Sequence, residues 1–77
     1  MSHVPHELAE EFPGRTDRIH ALCAENAHFR KLSDRYHEVN RAIHRAECNV
    51  EPMGETAEGE LRRERMHLKD EIARMLA

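Results

Sequence analysis

Apolar side chains recur every seven residues through the middle of this chain, at Leu22, Phe29, Tyr36, Ile43 and Val50. A second set, Leu32, Val39 and Ala46, follows Phe29, Tyr36 and Ile43 by three residues. Alternating steps of three and four mark a helix whose apolar stripe packs along another helix, with the first set at the a positions and the second at d. An apolar period of two is nowhere sustained, so the pattern excludes strands. A second run, from about Ala57 to Leu76, places Ala57, Leu61, Leu68, Ile72 and Met75 on one stripe. Arg65 fills the gap in that stripe, where its stem can lie along apolar surface while its head reaches water.

Proline and glycine divide the chain. Residues 1–14 form an N-terminal segment, in which Pro5 precedes "HELAEEF" and Pro13-Gly14 closes it. Residues 15–50 form the first long helical region, residues 51–56 a loop, and residues 57–76 the second helix. Thr16 or Asp17 could cap the first region, and Thr56 the second. Ile19, Leu22 and Cys23 begin the apolar stripe, which Glu25 and Asn26 then interrupt. Asparagine is a favoured N-cap, so the spacing predicts a break at 25–26 and a restart at Ala27. The short loop suits an antiparallel pairing of two helices of roughly 35 and 30 Å.

The predicted fold is therefore all-α: one small domain, an antiparallel, coiled-coil-like helical hairpin preceded by a short N-terminal helical segment. Two helices bury only one seam between them. The aromatic a positions and leftover edge residues then call for a partner, so self-association into a four-helix arrangement is expected. Tyr36 is expected to bury its ring and keep its hydroxyl at the wet edge of the seam. Composition agrees: of 77 residues, 35% are charged and 39% hydrophobic, with one Tyr, two Phe and no Trp. That mixture suits amphipathic helices better than a closed globular core.

The formal net charge of −3 is opposite in sign to that of dedicated nucleic-acid binders, so nucleic acid is disfavoured as a partner. Cys23 and Cys48 would lie about 37 Å apart on one continuous helix, too far for a disulfide. The first residues lack the basic start and apolar stretch of a signal peptide. The longest apolar run, "ALCA", is far short of a membrane span. A cytoplasmic protein with reduced thiols and no membrane span is the expectation.

Candidate chemistry is sparse. His44 and Cys48, four apart, share a helix face, as do His20 and Cys23, three apart. Each pair offers a metal two of the four ligands a structural zinc needs, and the pairs sit toward opposite ends of the helical region. Chance pairing in a chain with seven histidines is the simpler explanation, and no metal or other cofactor is expected. No nucleophile–base–orienter spacing is present, and Gly14, Gly54 and Gly59 form no phosphate loop, so an enzyme is not expected. When the hairpin is folded about Met53, Arg62, Arg63 and Arg65 lie roughly level with Arg41, His44 and Arg45. Such a basic girdle could bind RNA backbone or an acidic protein. Interleaved Glu38, Glu47, Glu58, Glu60 and Glu64 favour a solvated face instead, with Glu38–Arg41 and Glu60–Glu64–Arg65 as ordinary surface pairs.

The order of residues resembles a known family. "FPG" at 12–14, His28-Phe29 with Leu32, "YHEVNRAIHR" at 36–45 and "LKDEI" at 68–72 are similar to the YdcH-like small bacterial proteins of unknown function. The resemblance spans about residues 6–76. It implies a small helical, hairpin-like cytosolic protein and transfers no activity, cofactor or catalytic residue. The functional expectation is a non-enzymatic interaction or accessory module that docks on a larger complex or forms a homo-oligomer. A weak polyanion binder is the alternative. The residues expected at the seam or partner contact are Leu22, Phe29, Leu32, Tyr36, Val39, Ile43, Val50, Leu61, Leu68, Ile72 and Met75.

Overall fold

The computed structural model describes residues 6–48 and 54–77, and all the regular structure in them is helical. In chain order the helices are α1 (Leu8–Glu11), α2 (Thr16–Glu25), α3 (Ala27–Glu47) and α4 (Glu55–Leu76). The long helices α3 and α4 pack against each other as an antiparallel hairpin, and α2 packs against α3. Val50 and most of the expected 51–56 loop lie outside the described residues. Cross-helix pairs fix the register: Arg62 reaches Glu47, Arg65 reaches Asn40, and Arg35 reaches Glu64.

The helical region breaks at Asn26, whose extended backbone (φ −125°, ψ 110°) separates α2 from α3. Its N–H still donates to the Leu22 carbonyl, closing α2. Its side-chain Oδ1 accepts from the Phe29 N–H at 3.0 Å, capping α3. The other two caps depart from expectation. Helix α2 begins at Thr16 itself, after Arg15, with no side-chain cap, so neither Thr16 nor Asp17 caps it. Helix α4 begins at Glu55, with Gly54 at the N-cap position, which puts Thr56 inside the first turn. Glu55 and Glu58 in that turn supply negative charge at the positive end of the helix dipole instead.

Residues of the described N-terminal stretch 6–14 join the core. Leu8 is 2% exposed and clusters with Ile19, Phe29, Tyr36, Ile72 and Leu76. Gly14 takes the left-handed conformation (φ +81°) that lets the chain turn from α1 into α2. The Arg15 guanidinium then donates to the backbone carbonyl of Leu76 at 2.8 Å, tying the start of α2 to the last turn of α4. Along α3, Val39, Ile43 and Ala46 are also buried. Phe29 and Tyr36 are completely buried within the single chain. These aromatics therefore need no external partner, contrary to expectation, because α1 and α2 supply Leu8 and Ile19 against them. The unfinished part of the seam lies elsewhere: Leu22, Leu32, Leu61, Leu68 and Met75 are only half-buried.

Candidate interaction face of the hairpin

The buried polar groups fasten one element to another. Tyr36 projects from the centre of α3 into the core, and its hydroxyl donates to the backbone carbonyl of His6 at 2.5 Å. The hydroxyl thus meets a backbone acceptor, not water at the seam's edge as expected, because the N-terminal segment closes over that edge. Burial, reinforced by the negative charge of Glu11, pushes the Tyr36 phenol up to about 12. Asn40, 1% exposed, faces α4 and accepts from Arg65 Nη1 at 2.9 Å. Arg65 does fill the seam gap, with its head on Asn40 and not on a neighbouring glutamate. Among the described residues no buried side-chain nitrogen or oxygen lacks a hydrogen-bond partner.

One side of the hairpin is taken by α1. Glu7 meets His37 Nδ1 at 2.5 Å, and Glu11 lies 2.9 Å from His6 and 3.5 Å from Lys69 of α4. Burial works against ionisation of Glu11. Hydrogen bonding to His6 and the charge of Lys69 outweigh it and hold the carboxyl below its ordinary range. Beneath α1 lies a cavity of about 260 Å³ lined by residues of α1, α2 and α3, including Leu8, Ile19, His20, Cys23 and His37. His20 and Cys23 line this cavity, whereas His44 and Cys48 sit at the far end of α3, with Cys48 Sγ 3.7 Å from His44 Nε2. Both cysteines are free thiols. Among the described residues no group of three or more His, Cys, Asp or Glu is placed to hold a metal ion.

The basic girdle is interlaced with acids. Arg62 lies 2.9 Å from Glu47 and 3.2 Å from Glu58, and Arg65 is engaged by Asn40. Arg41, Arg45 and Arg63 are exposed, and His44 is half-buried. The expected surface pairs rearrange. Glu38 pairs with Arg35, three residues before it, and not with Arg41. Glu64 crosses to α3 to pair with Arg35, and not with the adjacent Arg65. Local spacing does not reveal these choices, since they depend on which rotamers the neighbouring helix leaves open.

The other side of the hairpin carries an open trough. Arg35 on α3 and Ala57, Glu60, Leu61 and Glu64 on α4 line about 450 Å³ of it. Arg35 grips Glu64 with two nitrogens, Nε at 2.6 Å and Nη2 at 2.9 Å. This forked contact holds the Glu64 carboxyl below its ordinary range, and the same hydrogen bonding raises the Arg35 guanidinium. Leu32 and Leu68 lie one turn from Arg35 and Glu64 on the same faces, each half-buried. Of the expected seam residues, Phe29, Tyr36, Val39, Ile43 and Ile72 are enclosed by the fold. Leu61 lines the trough. Leu22, Leu32, Leu68 and Met75 pack partly against the core.

These features define a small helical protein whose organised element is the α3–α4 hairpin, braced by its N-terminal segment. The chain belongs to the family described as protein of unknown function (DUF465), whose family model matches residues 29–76, more than half of its length. This is the family that contains the YdcH-like proteins. The match covers α3 from Phe29 onward, α4 and the residues between them. No curated protein and no solved structure matches the chain. Among the described residues, no helix is long and apolar enough to cross a membrane.

Proposed function

We propose that this protein is a non-enzymatic, cytoplasmic interaction module that docks through the α3–α4 hairpin on another protein chain. One observation carries the reading. Leu61 lines an open trough, and Leu32 and Leu68, one turn from the trough's Arg35 and Glu64, stay half-buried although they pack partly against the core, while the buried polar groups Tyr36 and Asn40 are engaged in holding the fold. Apolar seam residues at the wall of a trough gain most from a further surface laid against them.

The test is capture of partners by the tagged full chain from native lysate, with crosslinks mapped by mass spectrometry. A captured protein that crosslinks beside Leu61, stays bound at high salt and is lost with Leu61→Glu supports the reading. Circular dichroism checks that this half-buried substitution leaves the helices intact. Single-stranded RNA bound in a steeply salt-dependent manner, and released by Arg41→Ala and Arg63→Ala, would replace it with the polyanion reading.

A further inference from the structure

The two walls of the trough carry opposite charge. Arg35 stands on the α3 wall, with exposed Lys31 one turn before it and its pair Glu38 three residues after it, and Glu60 and Glu64 stand on the α4 wall. Arg35 and Glu64 are level along the helices, since their side chains meet at 2.6 and 2.9 Å. Two turns further along, His28 and Glu71 are also level, 3.9 Å apart. At the first level the guanidinium is on α3 and the carboxylate on α4, and the imidazole and carboxylate of the second level keep those sides.

From this arrangement we infer that the trough is filled by a second copy of this chain, related to the first by a two-fold axis parallel to the helices. The inference rests on the interaction-module reading and specifies its partner. Such an axis lays α3 of one copy over α4 of the other without sliding any residue along the helix direction. Arg35 then faces Glu64 of the second copy while keeping its own Glu64 beside it. The four side chains Arg35 and Glu64 of both copies close a ring of alternating sign, and His28 and Glu71 of the two copies meet two turns further along. Leu32, Leu61 and Leu68 become the interior of a four-helix arrangement.

The competing geometries fail on charge or on access. A two-fold axis perpendicular to the helices would set α3 on α3 and α4 on α4, placing basic wall on basic wall and acidic on acidic. The opposite side of the hairpin is already held by α1, through Glu7 on His37 and Glu11 on Lys69. A self-complementary face needs no other protein of matching pattern.

Sedimentation velocity of the full chain over the micromolar range is the first measurement, and the wild type is expected to dimerise. Arg35→Glu makes the ring wholly acidic in a homodimer, and Glu64→Arg makes it wholly basic. Each is expected to raise the dissociation constant by roughly tenfold or more. Mixed one to one, the two variants should form a heterodimer, because each copy then faces the opposite charge across the interface. Carbodiimide treatment of mixed isotope-labelled and unlabelled wild type should give an intermolecular crosslink between Lys31 and Glu64 or Glu71. That arm does not depend on any variant folding. A wild type that stays monomeric, variants that dimerise as well as wild type, or a mixture that fails to recover would each overturn the inference. A monomer that still captures another protein at Leu61 sinks the dimer and spares the module reading. A chain that does neither sinks both.

Discussion

Tyr36 gives the sharpest test of how the fold is held, because it is the only tyrosine and the chain has no tryptophan. Its ring is fully buried, and its hydroxyl is seated on the His6 carbonyl. Tyr36→Phe removes only that hydrogen bond and should cost about 1 kcal/mol. Tyr36→Ala empties the ring's site and should cost about 3–5 kcal/mol. That is a large share of the roughly 4–12 kcal/mol available to a chain of this length. Alkali offers a third perturbation that needs no mutation. The folded phenol is raised from 10.0 to about 12 by burial. A raised value means that the folded state holds its proton more tightly than the unfolded one. The associated stability, of order 2–3 kcal/mol, is therefore intact below pH 10 and is lost as pH climbs toward 12. Tyrosinate absorbance and helical circular dichroism, followed in one titration, should change together above pH 10. Tyrosinate forming near pH 10 with the helices unchanged would refute the burial argument. Tyr36→Phe should remove this alkaline sensitivity while keeping most of the thermal stability.

The remaining expectations concern single contacts. Asn26→Ala removes the α3 cap and should cost about 1 kcal/mol, whereas Thr56→Ala, inside the first turn of α4, should cost under about 0.5 kcal/mol, both read from thermal melts. Leu8→Ala should cost about 2–4 kcal/mol and raise hydrogen exchange around Tyr36, since Leu8 is part of the core and not of a loose tail. The Glu64 carboxyl is held below its ordinary range by Arg35, so their pairing contributes stability above that range and loses it as pH falls. Both side chains are more than a third exposed, so Arg35→Ala should cost less than about 1 kcal/mol at neutral pH and should flatten the acid limb of a stability–pH curve.

The hairpin was legible because its signal repeats. Phe29, Tyr36, Ile43 and the set at Leu32, Val39 and Ala46 define a face over several turns, and Asn26 marks where that face restarts. Folding the chain about Met53 sets Arg62, Arg63 and Arg65 level with Arg41, His44 and Arg45, whereas the observed partners of Arg62 and Arg65 are Glu47 and Asn40, the first three residues from His44 and the second next to Arg41. The seat of Leu8 was not legible. "HELAEEF" offers only Leu8 and Phe12, too few residues to show a period, and its packing is decided by the space left over Tyr36. Asn40 was recoverable in principle, since it lies four residues after Tyr36 and three before Ile43, on the buried face. Its polarity hid it from an apolar count. The trough's Arg35–Glu64 pair was less legible still, because each residue has equally good partners on its own helix.

The Arg15–Leu76 hydrogen bond joins residues 61 apart in sequence, whereas the contacts between α3 and α4 close much shorter loops. Contacts of low sequence separation form early in folding, and distant ones form after most of the chain is in place. The hairpin is thus the natural nucleus, and docking of the N-terminal segment on the end of α4 is the closing step. Substitutions at Arg15 or Leu8 should then leave the folding rate nearly unchanged and accelerate unfolding, with φ-values near zero, whereas Ile43→Val should slow folding. The N-terminal segment would act as a latch on the lifetime of the native state more than as a guide to reaching it.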